Sequence, residues 1–581
     1  MLKILKYLGE HKGAVFVTFL FLVVQAACEI TLPQYTADIV DVGIQNSDTG
    51  FLKDACLKMT ALSVLMMLAA CSASFMASRT GAAIGRDLRG RVFRKVVSFS
   101  GAEIDSFSTA SLITRCTNDV QQITMVCIIL LRMVFYAPII GAAGIVKVMS
   151  TKTGMSWIIA LAVVSIMLLI SLLMSLALPK FRIMQTLVDR LNLVSREILT
   201  GVSVIRAFNR QDEEEKRFEA VNKDLMKTQI FANRVMTFMM PSMMLIMNCV
   251  SVLVVWAGSK HVDAGNLEVG DMIAFITYAM MIVMAFMMIT MISIFLPRAG
   301  VAAERINEVL NTESSINDAD NPYAADNADI RGEISFENVS FRYPGAQEDM
   351  LHDVSFTAEA HKTTAIIGST GSGKSTLINL IPRFYDVTEG RILLDGTDIR
   401  DITQKQLRDT IGFVPQKGIL FSGTIESNLK YADENISDEM MKKAAETAQA
   451  VEFIDAKPEG YKSSISQNGS NVSGGQRQRL AIARAVAKQP KIYLFDDSFS
   501  ALDFKTDAAL RRALAENTGN ATNIIVAQRI STIMHADKII VLDEGRVAGI
   551  GTHDELMKEC EEYREIAKSQ LSQAELEGGV M

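Results

Sequence analysis

The first half of the chain is a series of apolar runs, each long enough to cross a bilayer as a helix: residues 13–35, 57–78, 125–148, 155–178, 236–257 and 272–296. Two polar stretches between them, 79–124 and 180–235, keep helical spacing, lack turn clusters over most of their length and are too long for simple loops. Spans two to five are therefore expected to run on as long helices joined by short turns. Past residue 310 the pattern changes: 311–332, rich in Asn, Asp, Ser and Ala, reads as a linker. From Glu333, strand patterns such as Ile334 to Tyr343 alternate with short helices to about Lys568. The predicted fold is an α-helical six-span transmembrane domain over 13–310, then an α/β domain over 333–568. Residues 1–12, with Leu2, Leu5 and Leu8 against Lys3, Lys6 and Lys12, suit a segment lying at the interface, and 569–581 reads as a disordered tail.

Charge orients the spans. Arg79, Arg86, Arg89, Arg91, Arg94 and Lys95 follow the second span, and Lys180, Arg182, Arg190 and Arg196 follow the fourth. The loop after the first span carries Asp38, Asp41, Asp48 and Asp54, and that after the fifth carries Asp263, Glu268 and Asp271. The positive-inside rule makes the helical extensions and both termini cytoplasmic. Lys3 and Lys6 precede an apolar run, but it is too long for a signal peptide and five more follow. With 58 basic against 65 acidic residues and a net charge of −7, the chain has no basic field for nucleic acid. The lipid bilayer is the expected partner. Seven cysteines (28, 56, 71, 116, 127, 249 and 560) show no metal-ligand spacing and read as small core residues.

The chemistry starts at Gly368, Ser369, Thr370, Gly371, Ser372, Gly373, Lys374, Ser375 and Thr376, a full match to G-x-x-x-x-G-K-[ST]. It lies between a strand-like run, Thr364 to Ile367, and a helix-like run, Thr376 to Ile381, the context that separates a phosphate loop from a chance glycine-rich turn. Its glycines let backbone N–H groups face phosphate oxygens at a helix N-terminus. Lys374 would reach the β and γ phosphates of ATP, and Ser375 would ligate Mg²⁺.

About a hundred residues on, Val472-Ser-Gly-Gly-Gln476 followed by Arg477 to Ala485 resembles the signature motif and helix of the ATP-binding cassette (ABC) family. Ser473, Gly474, Gly475 and Gln476, opening a helix, would form a second anion site; in the family it closes on the γ-phosphate held by the opposite cassette. The resemblance implies further roles: Tyr343 to stack on adenine, Gln416 to contact Mg²⁺ and the attacking water, Asp496 to hold Mg²⁺ through water, and Asp503 to cross to the other cassette in the D-loop Ser500 to Asp503. Phe107 to Val120 and Arg196 to Phe208 resemble segments around the coupling helices of the family's exporters. The likeness covers about residues 13–568 and implies a half-transporter needing a second such chain, in a bacterial plasma membrane.

Two departures fall on hydrolysis. Where hydrolytic members carry glutamate after the Walker B aspartate, this chain has Asp497, about 1.5 Å shorter in reach. Where the family usually has the switch histidine, it has Gln528, which can donate a hydrogen bond but cannot be protonated. Lys374, Ser375, Asp496 and the signature, which serve binding, are intact. The pattern is similar to the degenerate-site subunit of heterodimeric multidrug-type exporters, and it predicts slow turnover here and a non-identical partner with Glu and His in these positions. Ser466 to Gly469 also departs from the family's Gly-Glu-Arg-Gly. A nucleotide-gated regulatory subunit and a slowly hydrolysing homodimeric exporter are the alternatives.

Thirteen of 32 methionines fall in the last two spans, from Met236 to Met291. They suit a cavity that re-packs around different apolar ligands, and equally suit lipid-facing or helix-packing positions. Glu29 in the first span and Arg132 in the third are charges at membrane depth, expected to pair with each other or, for Glu29, to attract a cationic substrate. The family resemblance implies a small amphipathic substrate of multidrug, lipid or peptide type.

Overall fold

The computed structural model describes residues 7–150, 154–265, 267–323 and 330–570, with side chains at these positions other than 291–298 and 504. The expectations for Leu2, Lys3, Leu5 and Lys6, for linker residues 324–329, for tail residues 571–581 and for the Met291 side chain lie outside the described residues. The chain divides into two compact units, residues 1–97 with 110–311, and 98–109 with 312–581.

Among the described residues of the first unit, six helices are long and apolar enough to cross a membrane: α1 (Lys12–Ile44), α2 (Thr49–Val97), α4 (Thr109–Ser150), α5 (Ser156–Thr200), α7 (Gln211–Asp263) and the segment Val269–Thr290 of α8 (Val269–Asn311). Short helices α3 (Gly101–Phe107) and α6 (Val202–Ala207) follow α2 and α5. The polar stretches are thus helical continuations of the spans, as the spacing predicts: α2 is 49 residues and α5 is 45. Pro33, Pro138 and Pro179 sit inside helices. α7 is interrupted at Phe238, next to the carbonyl that the Pro241 ring crowds. Small residues bring helices close where apolar burial supplies no drive. A Cβ on Gly85 of α2 would lie 2.5 Å from the Thr124 hydroxyl of α4, and one on Gly144 would lie 2.9 Å from Ile282 of α8. Gly270 packs on the Ala37 carbonyl, and its N–H donates to Asp41 Oδ1 at 2.7 Å.

The membrane-depth charges do not pair with each other. Tyr136 donates its hydroxyl to Glu29, while Arg132 is exposed and has no ion pair among the described residues. The reason lies in α4, which opens into wide π-helical turns at Arg115–Asp119 and Leu130–Val134. Each adds a residue to a turn and re-aims the face beyond it, so Tyr136 is the buried residue there. The methionines divide: Met243 is buried, whereas Met240, Met244, Met280 and Met284 are exposed. All seven cysteines are free thiols.

The second unit is built on a six-stranded sheet in the order β12-β11-β3-β10-β9-β6. Its strands are β3 (Thr363–Gly368), β6 (Ile411–Val414), β9 (Ile492–Asp496), β10 (Thr522–Val526), β11 (Lys538–Asp543) and β12 (Arg546–Gly551). All neighbours are parallel except the hairpin β11–β12. Parallel strands are covered on both faces and read as continuous apolar runs; every residue of β9 is buried. A four-stranded antiparallel sheet, β2-β1-β4-β5, joins β1 (Ile334–Phe341), β2 (Leu351–Ala358), β4 (Glu389–Leu394) and β5 (Thr397–Asp398), and a two-stranded pair joins β7 (Gly423–Thr424) to β8 (Ser464–Ile465). The segment containing α3 belongs to this unit: Glu103 accepts from the backbone N–H of Ser315 at 3.1 Å, and Tyr385 donates to Asp105 at 3.2 Å.

Candidate functional site

Because β3, β6, β9 and β10 run parallel, their C-terminal ends meet at one edge, the usual place for a ligand in such sheets. Gly368 ends β3 and helix α9 (Lys374–Leu380) starts six residues later. Gly371 and Gly373 hold φ of +88° and +94°, which side-chain-bearing residues rarely adopt. A Cβ on Gly371 would meet nothing within 4 Å, so the loop is open there, whereas one on Gly373 would lie 2.7 Å from Leu351. Lys374 is buried, and its ammonium donates to the carbonyls of Gly368 at 2.9 Å and Ser369 at 2.6 Å. It has no ion pair among the described residues, and burial pulls its pKa down against the nearby Asp497 and Asp496. A buried cation satisfied by carbonyls, above an open glycine turn at a helix start, fits a phosphate chain.

Beside it, Ser375 donates to Asp496 Oδ1 at 2.9 Å, joining the end of β9 to the loop. Burial raises the pKa of both Asp496 and Asp497. Asp497 turns the chain out of β9 with φ of +44° while its N–H donates to the Val526 carbonyl at 2.9 Å. Its Oδ2 accepts from Gln528 Nε2 at 2.9 Å and, more loosely, from Gln416 Nε2 at 3.3 Å. Tyr343 donates to or accepts from Thr376 Oγ1 at 3.0 Å and packs edge-on against Tyr385 at 5.4 Å between ring centroids.

The remaining predicted residues form a second group. Ser473 caps α10 (Gly474–Ala487): its hydroxyl accepts from Gln476 N–H at 3.2 Å, and Gln476 Oε1 accepts from Ser473 N–H at 3.1 Å. Ser473 and Gly474 are exposed, and a Cβ on Gly474 would meet nothing within 4 Å. Asp503 caps α11 (Phe504–Thr518), accepting from Thr506 N–H at 3.0 Å, and that bond lowers its pKa. Thus Lys374, Ser375, Asp496, Asp497, Gln416 and Gln528 are linked around one edge, while the helix start at Ser473 faces solvent.

Three residues escaped sequence reasoning. Gln478 is 2% exposed and ties α10 to the loop bearing Gln416, accepting from Gly418 N–H at 2.9 Å and donating to the Pro415 carbonyl at 3.1 Å. Standing between Arg477 and Arg479, it gives no sign in the sequence that it is buried. Tyr385 joins Tyr343 to Asp105, and Gln570 reaches the loop at Gln528; neither stands in a motif.

A family model described as the ABC transporter transmembrane region matches residues 15–286, and one described as ABC transporter matches 351–500. An uncharacterized ABC transporter ATP-binding protein of Mycobacterium tuberculosis is 40% identical, covering 99% of each chain. An ATP-dependent lipid A-core flippase of Aromatoleum aromaticum is 31% identical over 98% of this chain and 96% of its own. The solved structure of a bacterial Atm1-family ABC exporter with ATP bound aligns with TM-score 0.80 and 26% identity, covering 97% of this chain and 99% of that one.

Proposed function

This chain belongs to the ABC transporter family, as a membrane domain fused to an ATP-binding cassette of the exporter type, and on that premise we propose that its own ATP site is a slow one. It is a half-transporter in the lipid bilayer whose ATP hydrolysis drives transport and whose working form pairs it with a second half-transporter. In the proposed reading that second chain is not identical and carries Glu and His where this one has Asp497 and Gln528.

The observation that carries the reading is the double amide on Asp497 Oδ2, from Gln528 at 2.9 Å and Gln416 at 3.3 Å. A general base must reach the water it activates, and this carboxylate is both short and engaged by neutral donors. Misplacing a catalytic group by about 1 Å costs on the order of a hundredfold. The binding half remains complete. Gly371, Gly373 and Lys374 would hold the phosphates, Tyr343 the adenine, and Ser375, Asp496 and Gln416 would hold Mg²⁺. When bound, Mg²⁺ would neutralise phosphate charge. The exposed helix start at Ser473 to Gln476 and the Asp503 loop would serve the partner's nucleotide.

The basic flanks at Arg79 to Lys95 and the acidic loops at Asp38 to Asp54 support cytoplasmic termini, and likeness to bacterial half-transporters supports a bacterial plasma membrane. Likeness to a lipid A-core flippase supports an amphipathic, lipid-like or multidrug-type substrate. The test is ATPase activity of the purified chain alone and with its partner, in liposomes. The reading expects little turnover alone and ATP-dependent uphill transport with the partner. Exporter-level hydrolysis by the chain alone would establish the homodimer instead, and downhill ion flow would establish a gated channel.

A further inference from the structure

β10 ends at Val526, and the loop after it brings Gln528 to Asp497. The sheet holds this loop only as far as Ala527, whose N–H donates to the Ile366 carbonyl at 3.1 Å. Its other side rests on the C-terminal helix α12 (Glu561–Gln570). Ala527, Ile530 and Ile533 share one buried cluster with Tyr563 and Ala567 of that helix. Gln570, at the helix end, then closes on the loop with both ends of its amide. Its Oε1 accepts from Ile530 N–H at 2.9 Å, and its Nε2 donates to the Gln528 carbonyl at 2.7 Å. The helix is itself fixed, since Tyr563 is fully buried and its hydroxyl lies 2.8 Å from His553 Nδ1.

We propose that Gln570 is a positioning residue for nucleotide turnover, acting through the backbone of Gln528. Two hydrogen bonds to residues 528 and 530 fix the peptides on either side of Arg529, and so the direction in which side chain 528 leaves the chain. The path from Gln570 to the Gln528 backbone, to the Gln528 amide, to Asp497 is continuous. Both bonds made by Gln570 go to backbone, so it would aim a histidine at 528 as well as the glutamine. The inference rests on this edge being the chain's ATP site, and it holds whether that site fires slowly or fast.

The experiment uses the full chain with its partner half-transporter in nanodiscs, with the partner's own hydrolytic carboxylate neutralised. Gln570→Ala is compared with its parent in two backgrounds, unaltered and Asp497→Glu/Gln528→His. Losing the two bonds is expected to lower kcat about three- to tenfold with KM for ATP unchanged. Amide exchange at Ile530 is expected to become fast. Gln570→Glu keeps the acceptor for Ile530 and loses the donor to residue 528, so it should fall between, and it serves if the alanine variant folds poorly. An unchanged kcat, or a raised KM with kcat intact, overturns the proposal. Should the double substitution gain no turnover over its parent, the slow-site reading falls, and the effect of Gln570→Ala is then read in the unaltered chain.

Discussion

The Gln528 amide donates to the Asp497 carboxylate across 2.9 Å, so the two residues that depart from the hydrolytic pattern are bonded to each other. They form one unit, and neither is interpretable as an isolated substitution. An amide that cannot be protonated donates to a carboxylate one methylene shorter than glutamate.

Restoring one member should therefore do little. Asp497→Glu alone lengthens the side chain by about 1.5 Å toward amides arranged for the shorter one, and turnover should rise less than about threefold. Asp497→Glu with Gln528→His should raise it roughly ten- to a hundredfold. Single-turnover hydrolysis, with the partner's site disabled, measures both; equal gains from the single and double variants would show that the residues act independently.

Asp496→Asn should separate stability from function. Burial raises the pKa of this carboxylate, so the folded chain pays for its charge at neutral pH. The folded pKa lies above the unfolded value of about 3.9, so the penalty is complete above the folded pKa and disappears as pH falls through it. The asparagine variant should melt about one or two degrees higher at pH 7, gain nothing near pH 3, and lose the extra stabilisation that ATP with Mg²⁺ gives the parent. Melting curves at the two pH values, with and without nucleotide, check each part.

Gly101→Val should impair the response of hydrolysis to substrate while sparing nucleotide affinity. A Cβ at residue 101 would lie 2.7 Å from the ring of Tyr385, which touches Tyr343 on its other side. The added side chain must push α3 or the Tyr385 ring away. Substrate-stimulated ATPase should fall at least severalfold with the ATP dissociation constant within about threefold of the parent, as an overpacked contact of this kind costs about 1–3 kcal/mol locally.

Gly270→Ala tests the membrane unit. A methyl there would overlap the Ala37 carbonyl and Asp41, whose Oδ1 is held close by the bond from Gly270 N–H. Backbone cannot swing aside as a flexible side chain can, so a loss of about 2 kcal/mol or more is expected. Thermal inactivation in detergent reads it, with Gly9→Ala, whose Cβ meets nothing within 4 Å, as the neutral control.

The spans, the phosphate loop and the strand ending in Asp496 were readable because each is a local pattern with its own spacing. Relationships between distant residues were not. Nothing in the run around Arg132 announces the wide turn at Leu130–Val134, so Glu29 meets Tyr136 in place of the expected arginine. The departures at Asp497 and Gln528 were visible as residue types, yet their bond depends on parallel β9 and β10 ending side by side. Gln478, inside the signature helix, and Gln570, outside any motif, act on backbone far away in sequence, and only the folded chain brings them there.

The short segment 98–109 is made long before the unit to which it belongs. Asp105 and Tyr385 are 280 residues apart in sequence, which at ribosomal rates of about 5–20 residues per second is a wait of roughly 15 to 55 s. Throughout that interval α3 lacks the Tyr385 and Ser315 partners that meet it in the folded chain. A fragment beginning at residue 312 would lack the segment that supplies Asp105 to Tyr385 and Glu103 to Ser315, so the second unit is complete only in a chain that also carries residues 98–109.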